Sequence, residues 1–160
     1  MKGLVIVILL AAAGYFAYQK YIGGPPRVIE DPVFGEIRMT ADIGNREIEA
    51  ALFVRASGDL DCKGRGLVSW RESFAGCPTC KLQEPKCHDG LPPRYAKLFD
   101  DVPIPSAYLS ATAGSAAERD GRMVIYGLTD AEGVVACEQV KSVLAQKYKG
   151  KLICVAPSGG

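Results

Sequence analysis

Six cysteines are the residues of this chain best suited to chemistry, and their spacing divides them into two groups. Four lie within 26 residues and two lie near the C-terminus: Cys62, Cys77, Cys80, Cys87, Cys137 and Cys154. Such thiols form disulfides in oxidising compartments, bind metals as thiolates, or exchange with other disulfides. The single histidine, His88, argues against most sites that depend on two imidazoles.

Three interpretations fit the first group of cysteines. Turn-forming residues around them favour two structural disulfides among Cys62, Cys77, Cys80 and Cys87, with Cys77 and Cys80 each pairing outward. The CxxC pair Cys77 and Cys80 can instead be a redox dithiol. A zinc site from these four cysteines and His88 is the third interpretation, although no second CxxC or CxxH is present. The first interpretation, which leads, assigns no catalytic residue, cofactor or metal ligand.

The redox interpretation also has a resemblance to a known family. Cys77-Pro-Thr-Cys80 resembles the active-site tetrapeptide of thioredoxin-like proteins, and Ile104-Pro105-Ser106 lies before two strand candidates and a helix candidate. Thioredoxin-like proteins end in that order, with an Ile-Pro pair facing the CxxC. The resemblance implies a thiol–disulfide oxidoreductase that uses Cys77 and Cys80. Pro85 departs from the family's pattern, because there the CxxC opens a long helix.

The second group of cysteines belongs to a predicted helix and a predicted strand. Thr129 and Glu132 have the spacing of a capping box, and the apolar period that follows predicts a helix up to Tyr148. Its buried face would carry Cys137, Val140, Val143, Leu144 and Tyr148. Gly150 is typical of a helix stop, and Lys151–Val155 is predicted to be a strand.

The register of that helix and strand predicts a disulfide. Cys137 precedes the turn by about 16 Å of helix, and Cys154 follows it by about 16 Å of strand. The two sulfur atoms would therefore lie level if the strand folds back along the helix. We predict that Cys137 and Cys154 are paired.

The remaining elements are two hairpins and a short helix. Residues 36–43 and 48–54 alternate apolar and polar types around a Gly44-Asn45 turn, which predicts a hairpin with one buried face. On the other face, expected to meet solvent, cross-strand pairs account for the charges of Glu36, Arg38, Arg46, Glu47, Glu49 and Arg55. A second hairpin is predicted over 106–111 and 122–128, with a mobile loop tip at 112–121 as a candidate partner contact. Residues 94–99 suit a short helix.

The first residues predict a membrane anchor. Residues 3–18 carry no charge, and continuation to residue 22 gives about 30 Å of helix, the thickness of a bilayer core. A signal peptide cleaved near residues 11–13 and a buried soluble helix are the alternatives. We predict an anchor at 1–22, a linker at 23–32, a domain at 33–156 and a disordered tail at 157–160. The lipid bilayer would be contacted through residues 3–22.

Composition bounds the function. The chain has 160 residues, of which 48% are apolar and 23% are charged, and this suits one small domain. A net charge of +1 argues against nucleic-acid binding. The expected fold class is α+β: about five mainly antiparallel strands, one long C-terminal helix and a disulfide-rich loop region.

The leading hypothesis is a single-pass membrane protein with its domain on the periplasmic or extracellular side. Because cysteines are many and catalytic constellations are few, it would act as a non-catalytic binding or assembly accessory for another envelope protein. The alternative is the membrane-tethered thioredoxin-like oxidoreductase that uses Cys77 and Cys80.

Overall fold

The computed structural model describes residues 24–43, 45–64, 80–83 and 85–159. The predicted anchor at residues 3–22 and the cysteine Cys77 lie outside these residues. Within the described ranges, no helix is long and apolar enough to cross a membrane.

Among the described residues, seven strands form one sheet and three stretches are helical. The strands are β1 (Val33–Ile43), β2 (Arg46–Ala56), β3 (Cys80–Leu82), β4 (Lys86–His88), β5 (Tyr108–Thr112), β6 (Gly121–Tyr126) and β7 (Lys151–Val155). The helices are α1 at residues 59–64, α2 (Pro93–Phe99) and α3 (Asp130–Leu144). The α+β class is confirmed, together with the antiparallel sheet.

The sheet order is β3-β1-β2-β6-β5-β7, and β4 also pairs with β1. Every pairing among these strands is antiparallel. The prediction of about five strands was wrong, because β3 and β4 are only three residues each and lie among turn-forming residues. The 11 residues of β1 are long enough to pair with both of them on one edge.

The first predicted hairpin is confirmed, and its apolar face is buried. Ile37 pairs with Leu52 and Met39 with Ala50, so these side chains share one face of the sheet. Ile37, Met39 and Ala50 form a buried cluster against which Cys80 packs. Alternation of period two therefore predicted both the strands and this face.

The opposite face of the hairpin, predicted to meet solvent, is a second core. Helix α2 covers it, and the buried residues there are Ala51, Phe53, Tyr95, Leu98, Tyr108 and Val124. The prediction that this face meets solvent was wrong, because Ala51 and Phe53 lie on it together with the charged residues. Their burial against α2 removes apolar area from water, which outweighs the cost of enclosing charged neighbours that are paired.

Helix α3 begins where predicted and ends earlier. Thr129 is its N-cap, and the reciprocal bonds of a capping box join it to Glu132. The helix ends at Leu144, four residues before the predicted end at Tyr148. The last bonds shorten to three-residue spacing, with Lys147 N–H donating to Leu144 O, and the chain turns at Gly150. A Cβ on Gly150 would lie 1.9 Å from Thr112 O, so this close approach requires glycine.

The second predicted hairpin is also confirmed, as β5 and β6, but its loop is packed against the protein. Ser115 and Ala116 are buried, and Ala116 N–H donates to Gly24 O at 2.8 Å. The expectation of a mobile, exposed loop tip was therefore wrong. In the segment predicted to be a tail, Ser158 N–H donates to Ile104 O at 2.8 Å.

Candidate functional site

The cysteine cluster lies along the outer edge of β1. Cys87 in β4 is opposite Gly35, and Cys80 in β3 is opposite Ala41. Six residue steps along β1 separate these positions, which puts the two cysteines about 20 Å apart. Cys80 and Cys87 therefore cannot bond to each other.

Cys87 is bonded to Cys62 instead. The S–S distance is 2.01 Å and the Cα atoms are 6.2 Å apart. Helix α1 carries Cys62 over Gly35, where a Cβ would come within 3.3 Å of Cys62 Sγ, so the small residue leaves room for the bond. The expectation that Cys77 and Cys80 pair outward to these two cysteines was wrong.

Cys80 is also disulfide-bonded, and its partner lies outside the described residues. Cys62, Cys87, Cys137 and Cys154 are paired among themselves, so of the six cysteines only Cys77 remains unassigned. The sheet order places β1, β2 and β6 between β3 and β5, a distance of about 19 Å. Pro105, just before β5, therefore does not face Cys80 as the thioredoxin-like resemblance implied.

Two of the proposed zinc ligands form a disulfide with each other. Cys62 and Cys87 are oxidised, so neither can bind a metal as a thiolate. His88 Nε2 lies 2.8 Å from Glu36 Oε2, which occupies the imidazole with a carboxylate. Within the described part of the chain, no group of three or more metal-binding side chains is present.

The C-terminal cysteines Cys137 and Cys154 are bonded to each other, with an S–S distance of 1.99 Å and Cα atoms 5.9 Å apart. This is the pair that was predicted from the lengths of the helix and the strand. Cys137 is buried, so the bond fastens α3 to β7 from within the protein. The described cysteines are thus all disulfide-bonded.

A polar cluster, which the sequence did not predict as a site, lies beside α2. Its centre is Arg38, whose guanidinium donates to the carboxylates of Glu36 and Glu49 and to the Tyr95 hydroxyl. Glu36 also meets His88, so the cluster joins β1, β2, β4 and α2. The only early signal was the placement of Glu36 and Arg38 two residues apart on one strand face.

The electrostatics of this cluster favour its charged form. Burial raises the pKa of Glu36, but hydrogen bonds from Arg38 and His88 more than offset it and hold the pKa below its ordinary 4.5. Burial lowers the pKa of Arg38, and its bonds to Glu36, Glu49 and Tyr95 leave it raised overall. Arg94 covers the Tyr95 ring at 4.3 Å. Because its groups are mutually satisfied, the cluster serves to hold strands and helix together.

An apolar groove of about 540 Å³ runs along α3. Its described lining is almost entirely apolar: Ile48, Ile125, Leu128, Ala131, Glu132, Val135, Ala136, Gln139 and Val140. Val135 is 57% exposed, which is high for a valine at the wall of a groove.

The groove follows from where α3 docks. Gly133 approaches Ala107 in front of β5, and Cys137 is bonded to β7, so the helix covers that side of the sheet. Ile125 of β6 and Ile48 of β2 are left beside the helix and form the floor of the groove. Local sequence cannot show this lateral position, because it depends on contacts with distant strands.

The predicted buried face of α3 was wrong at its C-terminal end. Val143 is 65% exposed and Leu144 is also exposed, whereas Cys137 is buried. The adjacent pair Val134 and Val135, which lies off the predicted face, was the available signal for exposed apolar surface.

No family model matches this chain, and neither a curated protein nor a solved structure matches it. Function is therefore inferred from the geometry of the chain itself.

Proposed function

We propose that this protein is a membrane-anchored, non-catalytic binding accessory in an oxidising compartment such as the periplasm. Its groove along α3 would hold an apolar face of another envelope protein. The observation that carries this proposal is the exposure of Val135 in a groove with an almost wholly apolar lining. Exposed apolar surface of this kind marks interaction sites more often than isolated surface residues do.

An amphipathic helix is the partner element that suits the groove. The lining residues of α3 run from Ala131 to Val140, so the wall is about 14 Å long. Ala131, Val135 and Gln139 recur every four residues along that wall, which is the ridge spacing that a second helix packs against. The small side chain of Ala136 allows close approach of the partner backbone. At one end, Arg46 pairs with Glu132 at 2.8 Å, so no unpaired charge faces the apolar lining there.

Two disulfides in a small domain support the assignment of the compartment. Glutathione and thioredoxin keep cytosolic thiols reduced, so stable disulfides are typical of secreted and periplasmic proteins. Each bond closes a loop of the size that stabilises a domain by about 3 kcal/mol.

The test compares two adjacent valines on α3. Val135→Asp places a carboxylate in the groove, whereas Val134→Asp places it on exposed helix surface outside the groove lining. The full chain in lipid nanodiscs is titrated with a fluorescent amphipathic helical peptide that has leucines on one face. V135D should weaken binding by about tenfold or more, because the charge must be desolvated. V134D should bind like the wild type, since its carboxylate lies outside the groove. It is a matched control because both variants change the helix propensity of α3 in the same way. Equal binding by V135D and the wild type would reject the groove as the binding site.

A second measurement identifies the natural partner. A photo-crosslinking side chain at position 135 or 134 is expressed in the full chain in its native membrane. The protein that crosslinks at position 135 but not at position 134 is identified. It is then purified, and its binding to the full chain is measured by titration. The proposal stands only if V135D weakens this defined complex and V134D does not.

One observation favours a second function, thiol–disulfide exchange. Cys80 is disulfide-bonded, and this function would require Cys77, which lies outside the described residues, as its partner. Cys80 lies in an edge strand and is partly exposed. A substrate thiolate would attack this disulfide, form a mixed disulfide and release one cysteine as a thiolate that takes a proton from water. A second substrate thiolate would then attack the mixed disulfide at the substrate sulfur, forming the substrate disulfide and releasing the second cysteine as a thiolate, so that two electrons pass to Cys77 and Cys80.

Graded glutathione buffers distinguish the two functions. If the protein is an exchanger, the Cys80 disulfide should be reduced in the folded chain at a potential above about −300 mV. The Cys62–Cys87 and Cys137–Cys154 disulfides should stay oxidised at that potential. Alkylation followed by mass mapping reports each cysteine separately. A Cys80 bond that is reduced only when the domain unfolds would reject the exchanger and leave the binding accessory.

A further inference from the structure

One end of the domain is organised around Arg119, and we call it the Arg119 pole: residues 24–29, α1, the loop 113–120 and residues 143–151. Arg119 Nε lies 3.1 Å from Asp61 Oδ2 in the stretch that forms α1. Its Nη1 donates to Ala116 O at 2.9 Å, and the Tyr148 hydroxyl donates to Arg119 O at 2.9 Å. These bonds fix α1, the loop 113–120 and residues 143–151 at the same end of the sheet.

The described chain begins at this pole. Gly24 O accepts from Ala116 N–H, and the residues after it line a cavity with Arg55, Thr112 and Asp120. The predicted linker is therefore bonded to the domain at Gly24. Two residue steps separate Gly24 from position 22, the end of the predicted anchor, and they span about 7 Å at most. An anchor that ends there would hold the pole within that distance of the bilayer surface.

The surface of the pole is suited to such a position. Its exposed apolar side chains are Val28 at 91%, Leu60 at 90% and Val143 at 65%. Lys147, Lys149 and Lys151 are exposed beside them, and none of their ammonium groups forms an ion pair within the described residues. Apolar side chains flanked by lysines are typical of protein surfaces that lie at the boundary of headgroups and acyl chains.

We propose that the Arg119 pole rests on the bilayer surface, with Leu60, Val28 and Val143 at the headgroup boundary. The lysine stems would extend over the same boundary with their charges among the headgroups. This inference rests on the proposed membrane anchoring, because the reach of the chain from position 22 sets the distance. The occupant of the surface is lipid, and the α3 groove stays free for a protein.

The experiment uses the full chain in vesicles of phosphatidylcholine and phosphatidylglycerol. A benzophenone side chain replaces Leu60 or Val143, and a matched control replaces Val134, an exposed valine on the same helix. Val134 lies nine residues, or about 14 Å of helix, from Val143. Lipid adducts should form at positions 60 and 143 at about five times the yield at position 134, because contact with lipid extends only about 5–10 Å from the boundary.

Alkaline carbonate extraction of the same vesicles separates the inference from its premise. A chain that resists extraction and gives high lipid adducts at positions 60 and 143 supports the inference. A chain that resists extraction but gives equal lipid adducts at all three positions overturns it and leaves the anchoring intact. Adducts between two copies of the chain in place of lipid adducts also overturn it. A chain released by carbonate overturns the anchoring and this inference together.

Discussion

Loss of the Cys137–Cys154 disulfide should reduce the stability of the domain severely. The two cysteines are 17 residues apart, and the loop-entropy relation gives about 3 kcal/mol for a bond of this span. Alanine at position 137 also removes a sulfur atom from a buried position, which adds about 1 kcal/mol. The double variant C137A/C154A should therefore lose about 4 kcal/mol out of the roughly 5–15 kcal/mol that a domain possesses.

Urea unfolding of the full chain in detergent, followed by fluorescence, measures this loss. With a slope of about 2 kcal/mol per molar urea, the midpoint should fall by about 2 M. The matched control is C62A/C87A, whose bond spans 25 residues. Because the entropy depends on the logarithm of loop length, its predicted loop term is only about 0.3 kcal/mol larger.

The two double variants should thus be destabilised by similar amounts, within about 1 kcal/mol. A loss below about 1 kcal/mol for C137A/C154A would refute the reasoning, because the bond would then not constrain the unfolded chain. Mild reductant without urea should leave the Cys137–Cys154 bond of the folded wild type intact, since Cys137 is buried.

Three further predictions concern single side chains. Glu36→Gln should lower the free energy of unfolding at neutral pH. Because the Glu36 pKa lies below 4.5 in the folded state, its contribution is present above about pH 4.5 and is lost as the pH falls through the folded pKa, so wild type and variant should converge in urea midpoints at acid pH. Thr129→Ala should cost about 1 kcal/mol in the same assay, because the N-cap bond is lost. Gly150→Ala should cost about 2 kcal/mol or more, since the added Cβ meets Thr112 O, whereas Gly64→Ala, with nothing within 4 Å, should cost nothing. Equal stabilities of the two alanine variants would contradict the contact at Gly150.

The sequence predicted those elements whose signal is local. Alternation defines β1 and β2, and the capping box of Thr129 and Glu132 marks the start of α3, because both depend on neighbouring residues alone. The second face of the hairpin was missed for the opposite reason. Ala51 and Phe53 alternate with charged residues, and only the docking of α2 shows that this face is buried as well.

The candidate sites depend on long-range placement, which local patterns do not contain. The cysteine pairing follows from β1, which is long enough to hold β3 and β4 at positions about 20 Å apart on one edge. Each of these strands has three residues, too few for a periodic signal. The groove follows from the lateral position of α3, which Gly133 and the Cys137 bond determine together.

The α3 groove extends away from the Arg119 pole along the same helix, and this constrains how a partner can bind. Helix α3 starts near Leu128, at the groove end, and its last turn reaches the pole. Along the helix, the groove begins about 4 Å from Val143 of the pole, at Val140, and ends about 18 Å from it, at Ala131. With the pole on the bilayer, a partner helix that fills the groove would lie outside the hydrocarbon core. The proposed partner element would therefore be an amphipathic helix, or part of one, that lies beyond the hydrocarbon core.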